Sequence, residues 1–445
     1  MLRAIYRAAW WLVAPLAVLR LLIRSRREHG YREHIGERFG RSAGRLPEDD
    51  APLIWVHAVS VGETRAAQPL VDALLAARPD ARILLTHMTP GGRAAGVQLF
   101  GERVQRCYLP YDMPHTVRRF LRAWRPSLGI VMETEVWPTL IDECRRADVP
   151  LVLTNARMSA RSFRRAAKFG AAVKEVFGGF ARVLAQSPTD AERLTALGAR
   201  NVAVLGNLKF DMASPPGLIA RGREWRRAIG SRPVWVAAST REGEEERVLQ
   251  AFAALGIDDA LLILVPRHPQ RFDEVAALVA RKNLKLVRRS QWAASEAPAD
   301  ASAHGAPRAL PQDVNVLLGD SMGEMGAYYA AADLAFIGGS LLPLGGQNLI
   351  EACAVGVPVL IGPHVFNFAQ ATTDAVAAGA ALQVQDPAGL AQALHELFKD
   401  KPRRVAMGAA GAAFAARHRG ATARTVDVLT TLLPERASSV TSLDL

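Results

Sequence analysis

Residues 338–368 read GGSLLPLGGQNLIEACAVGVPVLIGPHVFNF, and their reading decides the fold. Just upstream, residues 333–337, DLAFI, form a short apolar run of strand character that ends on Gly338, Gly339 and Ser340. The backbone turns sharply there, and a ligand can approach it closely. After a polar, glycine-rich loop, residues 348–355 read as a helix and residues 357–361 as the next buried strand. The amides of Gly345, Gly346, Gln347 and Asn348 would be offered at that helix N-terminus, a place that attracts anions such as phosphate. An ordinary βαβ unit whose glycines serve only tight turns gives the same local pattern. Repetition favours binding: a second polar loop, GPHVFNF at 362–368, leaves the following strand, and ligands of open α/β sheets lie beyond the carboxyl ends of strands.

Outward from this stretch, the same alternation recurs in both halves of the chain. LIWVHAV at 53–59 is a strand that Ser60, Val61, Gly62 and Glu63 turn into a helix. Residues 81–87, 127–132 and 151–154 are further strands, leading into THMTPGGR, ETEVWP and NARMS. Four successive strand ends with polar residues are the pattern of a doubly wound domain. Glu63 at a strand-to-helix turn is placed for catalysis, and a carboxylate there also serves as a simple helix cap. The arginines at 161, 164 and 165 read first as a solvated helix face and second as a patch for an acidic substrate. GNLKFD, with Lys209, closes the first half, and residues 212–217, rich in proline, read as the linker. A second α/β half opens with the strand VWVAAS at 234–239 and continues through a strand at 261–265 that delivers Arg267 and His268. Residues 290–312, rich in Ala and Pro, lack periodicity and read as a mobile surface insertion.

Composition bounds the alternatives. A chain of 445 residues, half of them apolar, is long enough for two globular domains. A net charge of +12 suits an anionic partner such as nucleic acid, an anionic membrane surface or a phosphorylated substrate. The three cysteines, Cys107, Cys144 and Cys353, are far apart, which argues for a reducing compartment and against a disulfide framework or metal site. The N-terminal stretch holds an apolar segment interrupted by Arg7 and Arg20 and followed by basic residues at 24–27. It reads as a retained membrane anchor whose arginines snorkel, or as an amphipathic helix packed on its own protein. A signal peptide fits less well, because the basic residues stand where a cleavage site belongs. There is no GxxxxGK[ST] loop and no early GxGxxG, so ATPase and dinucleotide readings are weak. The residues alone point to a two-domain transferase that closes on a nucleotide-bearing donor. A transferase using a UDP-hexose and a membrane-tethered nucleic-acid-binding protein are the rivals. The second is disfavoured because the arginines are not interleaved with aromatics.

The central stretch, together with WVHAVSVGE, METEVWP, NARMS, GNLKFD, RHPQR, DSMGEM and YREHIGERFG, resembles the 3-deoxy-D-manno-octulosonic acid (Kdo) transferases of lipopolysaccharide synthesis. The resemblance covers nearly the whole chain. It implies an α/β glycosyltransferase B fold, two Rossmann-like domains facing a cleft, with an N-terminal membrane-anchor helix. It implies CMP-Kdo as donor, the lipid A precursor lipid IVA as acceptor, no metal or other cofactor, no nucleic acid, and a place at the cytoplasmic face of the inner membrane on its anionic surface. The domains expected are an anchor and basic segment at 1–40, an acceptor domain at 41–212, a linker at 213–229, a CMP-Kdo-binding domain at 230–425 and a tail at 426–445. Carried over by residue, Glu63 matches the general base, with Ser60, Gly62 and Lys209 in the cleft. Arg267, His268, Glu324, Gly338, Gly339, Ser340, Asn348 and Glu351 match donor-binding positions. Arg241, Gln270, Leu344 and Gln347 depart from the residues common in the family. Amides near Ser340 and Gly346 are expected to meet the phosphate charge that develops as CMP leaves.

Overall fold

The computed structural model describes residues 2–26, 28–41, 51–212, 214–294 and 309–434. The chain forms two units, Met1–Met212 with Arg419–Leu445, and Ala213–His418. Each is an α/β unit around one seven-stranded parallel sheet.

In the first unit the strands are β1 (Leu53–His57), β2 (Arg82–His87), β3 (Gln105–Tyr108), β4 (Leu128–Met132), β5 (Leu151–Ala156), β6 (Arg182–Ala185) and β7 (Val202–Val204). Their order is β3-β2-β1-β4-β5-β6-β7, so the direction of winding reverses between β1 and β4. Helices cover both faces, and the strands are therefore continuous apolar runs. Along β1 the side chains alternate faces: Leu53 and Trp55 join Phe120 and Trp124 on one side, while Ile54 and Val56 join Leu70 and Leu74 on the other.

The second unit contains β8 (Val234–Thr240), β9 (Leu261–Pro266), β10 (Leu286–Arg288), β11 (Val316–Leu318), β12 (Leu334–Ile337), β13 (Val359–Ile361) and β14 (Ala381–Gln383). The order β10-β11-β9-β8-β12-β13-β14 puts its reversal between β8 and β12. The opening stretch of sequence is thus the exit of β12, the loop after it, and β13.

Several sequence expectations change. Residues 213–229 are not an extended linker, because Pro216–Ile229 is a helix of the second unit. Its Gly222 lies so close to the Met325–Ala331 helix that a Cβ would stand 2.3 Å from the Ala327 carbonyl, and its Trp225 packs on Tyr328 at 5.2 Å. The change of unit near the C-terminus falls between His418 and Arg419, earlier than residue 425. Asp211 accepts the amides of Gly420 (2.7 Å) and Thr422 (2.6 Å), which seats the Ala421–Thr430 helix in the first unit, where Leu429 is buried. The 290–312 insertion has built edges: Arg289–Ala294 is a helix with Trp292 buried, and Leu310 is buried too. Its centre, 295–308, and the tail beyond 434 lie outside the described residues.

The N-terminal helix, Leu2–Arg24, has two faces, and each matches one of the readings left open by the sequence. Trp10, Ala14, Ala17, Val18 and Leu21, at helical spacing, pack with Tyr111 and Met113 of the first unit. Tyr6 donates to Asp112 at 2.8 Å, and Arg7 pairs with Asp142 at 2.9 Å. The opposite face exposes Trp11, Leu12, Leu16, Leu19 and Ile23. By length and composition Ile5–Arg24, mean hydropathy 1.4, is long and apolar enough to cross a membrane.

Candidate active site

At the reversal between β1 and β4 the first unit collects carboxylates. The chain leaves β1 at Ser60, which caps the Val61–Ala77 helix and accepts the Glu63 amide at 3.5 Å. Glu63 reaches back, accepting from the Val59 amide at 2.9 Å and from the Ser60 hydroxyl at 3.2 Å. This is a reciprocal cap of the kind that fixes helix starts, so the capping reading of Glu63 holds in part. The electrostatics go further. Burial, and then the negative charges of Glu133 and Glu135, raise the Glu63 carboxyl to about 7 against the two hydrogen bonds. Gly62 is exposed, and a Cβ there would meet only Ser60 Oγ at 3.9 Å, so the packing does not require a glycine at this position.

Glu133 and Glu135 belong to the turn that leaves β4. Glu133 holds a left-handed backbone, φ +59, which costs a non-glycine residue roughly 1 kcal/mol or more and recurs at functional sites. Its carboxylate pairs with Lys209 at 2.8 Å. Burial raises the Glu135 carboxyl, opposed by the nearby Trp137 indole and reinforced by Glu133. Asn155, at the exit of β5, is also left-handed and accepts the Leu208 amide at 3.1 Å, which seats the Leu208–Asp211 turn carrying Lys209. Four expected residues, Ser60, Gly62, Glu63 and Lys209, thus share one strand-end neighbourhood. Glu133 and Glu135 were missed as site residues; the signal was an acidic pair flanking one threonine at a strand exit.

The second unit fills its reversal point differently. Glu244, fully buried, accepts the amides of Gly339, Ser340 (2.9 Å), Leu341 (3.0 Å) and Arg241 (3.2 Å). Burial raises its carboxyl while those four bonds oppose the rise. The amides near Ser340, expected to face a phosphate, are therefore satisfied from within. Ser340 itself is buried, donating its hydroxyl to the Ile337 carbonyl and accepting the Gly362 amide at 2.8 Å. The amides at Gly346 and Gln347 are spent on the carbonyls of Gly339 (2.8 Å) and Gly338 (3.0 Å), and the helix begins only at Ile350. Gly338 is required by packing, since a Cβ would stand 2.7 Å from the Ser239 carbonyl, and Gly339 adopts φ +69.

Asn348 and Glu351 are brought together: Asn348 donates to Glu351 at 2.9 Å and accepts the Ile350 amide at 3.1 Å, capping the Ile350–Val355 helix. Glu324, after β11, is bound by its own unit through Arg221 (2.9 Å), Arg289 (3.4 Å) and Ser321, so its carboxylate already has partners. Arg267 and His268 leave β9 beside the exit of β8, where the Arg267 amide bonds the Thr240 carbonyl at 2.9 Å. His268 is exposed, and its imidazole is pushed down by partial burial and by Arg241, Arg267 and Arg271. Arg241, Arg267 and Arg271 thus all act on His268 at this strand exit. Among the described residues no group of three or more His, Cys, Asp or Glu is placed to hold a metal ion.

Comparison with known proteins agrees with this architecture. The family described as 3-deoxy-D-manno-octulosonic-acid transferase (kdotransferase) matches residues 33–212, and glycosyl transferases group 1 matches 303–414. The chain is 46% identical over 438 residues to the 3-deoxy-D-manno-octulosonic acid transferase of Bordetella pertussis, covering 96% of this chain and 98% of that one. It is 35% identical to that of Haemophilus influenzae, with the same coverage. Among solved structures it is similar in fold to a glycosyltransferase from Rickettsia africae (TM-score 0.56, 11% identity, 86% of this chain and 99% of that one). It is likewise similar to the UDP-GlcNAc 2-epimerase of Neisseria meningitidis (TM-score 0.57, 13% identity, 85% and 100%). Likeness to Kdo transferases along nearly the whole chain, joined to two Rossmann-like sheets, settles the family: the chain belongs to the 3-deoxy-D-manno-octulosonic acid transferases.

Proposed function

We propose that this glycosyltransferase moves Kdo from CMP-Kdo to a hydroxyl of lipid IVA with inversion at the anomeric carbon, Glu63 acting as general base. The observation that carries the reading is the Glu63 carboxyl itself, held at a strand-to-helix turn and raised to about 7 by burial and two flanking carboxylates. A base is most effective when its pKa lies near the working pH, because it is then ionised and still basic. Taking the proton from the acceptor hydroxyl while that oxygen attacks opposite the leaving CMP inverts the centre, and one carboxylate suffices. The leaving phosphate gains charge as the bond breaks. Arg267, His268 and Arg241 are the groups proposed to meet it, in place of the amides that Glu244 occupies. Guanidinium charge supplies this stabilisation without a metal.

The N-terminal helix is proposed to hold the enzyme at the inner membrane's cytoplasmic face, with its exposed apolar side in the lipid and its packed side on the first unit. That arrangement brings an acylated acceptor to the protein. The test is a transfer reaction with CMP-Kdo made in situ and lipid IVA, with and without EDTA, and product read by mass spectrometry. Product heavier by whole Kdo units, formed equally in EDTA, is expected. No product with CMP-Kdo, but product with a UDP-sugar, would overturn the donor assignment.

A further inference from the structure

Beside the N-terminal helix the first unit holds a pocket of about 510 Å³ lined by Ile35, Gly36, Phe39, Arg41, His115 and Arg119. Its walls are locked together. Gly40 ends the Ile35–Phe39 turn with φ +72, and a Cβ there would stand 2.3 Å from the Thr116 carbonyl and 3.2 Å from Arg119 Cβ. Arg119 donates to the Phe39 carbonyl at 3.0 Å, and the Tyr111 amide to the Arg38 carbonyl at 2.8 Å. The turn and the Pro114–Trp124 helix are therefore one preformed cradle.

The charge of that cradle has one sign. No carboxylate is among its lining residues, and Glu37, in the same turn, is committed to Arg93 at 2.9 Å and the Tyr108 amide at 2.8 Å. Burial and Arg119 push the His115 imidazole below its ordinary value, which leaves two guanidiniums as the pocket's charge at neutral pH. Guanidiniums match the oxygens of a phosphate in spacing and plane. The position is equally specific. Trp11 stacks on His115 at 5.4 Å, and Trp11 opens the exposed apolar face that continues through Leu12, Leu16, Leu19 and Ile23. Tryptophan on an amphipathic helix marks the headgroup level of a bilayer.

We infer that this pocket takes the phosphodiester headgroup of an anionic membrane phospholipid, with Arg41 and Arg119 as its phosphate ligands. The inference rests on the membrane reading of the N-terminal helix proposed above. A pocket of this volume is within the usual range for small ligands, and the two arginines add a headgroup site to the diffuse attraction that Arg20, Arg24 and the basic residues after them already exert on an anionic surface.

The test is flotation of the full chain with phosphatidylcholine vesicles and with vesicles that include phosphatidylglycerol. Wild type is expected to bind both, and the anionic ones more tightly. Arg41→Gln with Arg119→Gln should keep the first and lower the gain on the second by about fivefold for each arginine. Arg41→Gln alone carries the test if the double variant melts early. Arg164→Gln with Arg165→Gln, exposed arginines of another helix, should keep the gain. Equal wild-type binding to both vesicles, or an equal loss in the Arg164/Arg165 pair, overturns the pocket and leaves the anchor standing. Binding to neither vesicle removes the anchor reading and the lipid with it. A rise in Tm with inorganic phosphate that the Arg41/Arg119 pair loses, without any gain on anionic vesicles, would make the pocket a soluble-phosphate site and overturn the lipid assignment.

Discussion

The two units place a glutamate at the same point of the same architecture and use it for opposite ends. Both sheets reverse beside their first strand, and in both a glutamate stands in the first turn of the helix that follows it, Glu63 after β1 and Glu244 after β8. Glu63 accepts one amide and one hydroxyl, lies half-buried, and faces two further carboxylates. Glu244 is sealed and accepts four amides. A carboxylate saturated with donors is structural; one starved of them, among like charges, is chemically available. Position in a fold does not decide which it is. The count of donors does.

The comparison is sharpened most by Glu63→Gln. Removing a general base is expected to lower kcat by ~10²- to 10⁴-fold, about 3 to 5 kcal/mol of barrier. Stability should move the other way. An acid whose folded pKa is raised from 4.5 to about 7 loses stability as pH climbs between those values, and the loss is complete above about 7, so the neutral glutamine leaves Tm unchanged or higher at pH 8. Glu244→Gln should do the reverse. Its amide nitrogen meets backbone donors in a buried site, costing roughly 2 to 3 kcal/mol of stability, read as a lower denaturation midpoint of the second unit. A folded, inactive Glu244 variant with unchanged Tm would break the distinction.

Smaller effects refine it. Ser340→Ala removes a buried hydroxyl that links the Ile337 carbonyl to the Gly362 amide, and about 1 to 2 kcal/mol of stability should go with it while the acid limb of the rate stays in place. Glu133→Gln removes a negative charge that raises Glu63, so the acid limb of kcat/KM should move to lower pH. A limb that stays in place or moves up would show that the Glu133 charge does not set the Glu63 carboxyl.

Much of this was legible before the structure. Short apolar runs ending in polar turns are local signals, so the strands, the SVGE turn and the family motifs could be read directly. What could not be read was contact at long range. Glu244 meets Gly339 across 95 residues of chain, and Lys209 meets Glu133 across 76. Three glutamates at 244–246 are by sequence an ordinary helix start, and nothing near them in the chain marks one as the acceptor of the glycine-loop amides. Residues 213–229 misled for a related reason. Their two prolines mark a turn, yet one of them, Pro216, is the first residue of a helix, where proline is well tolerated. The Ala421–Thr430 helix carries no mark of the unit it joins; Asp211 supplies it.

The account turns on whether Glu63 is the available carboxylate, and the pH dependence of kcat/KM for Kdo transfer tests this most directly. Wild type should lose activity tenfold per unit below an apparent pKa of about 7, and Glu63→Gln should show a low, flat profile over the same range. A wild-type profile flat through neutrality, or a Glu63→Gln variant with the full rate and the same acid limb, would contradict it.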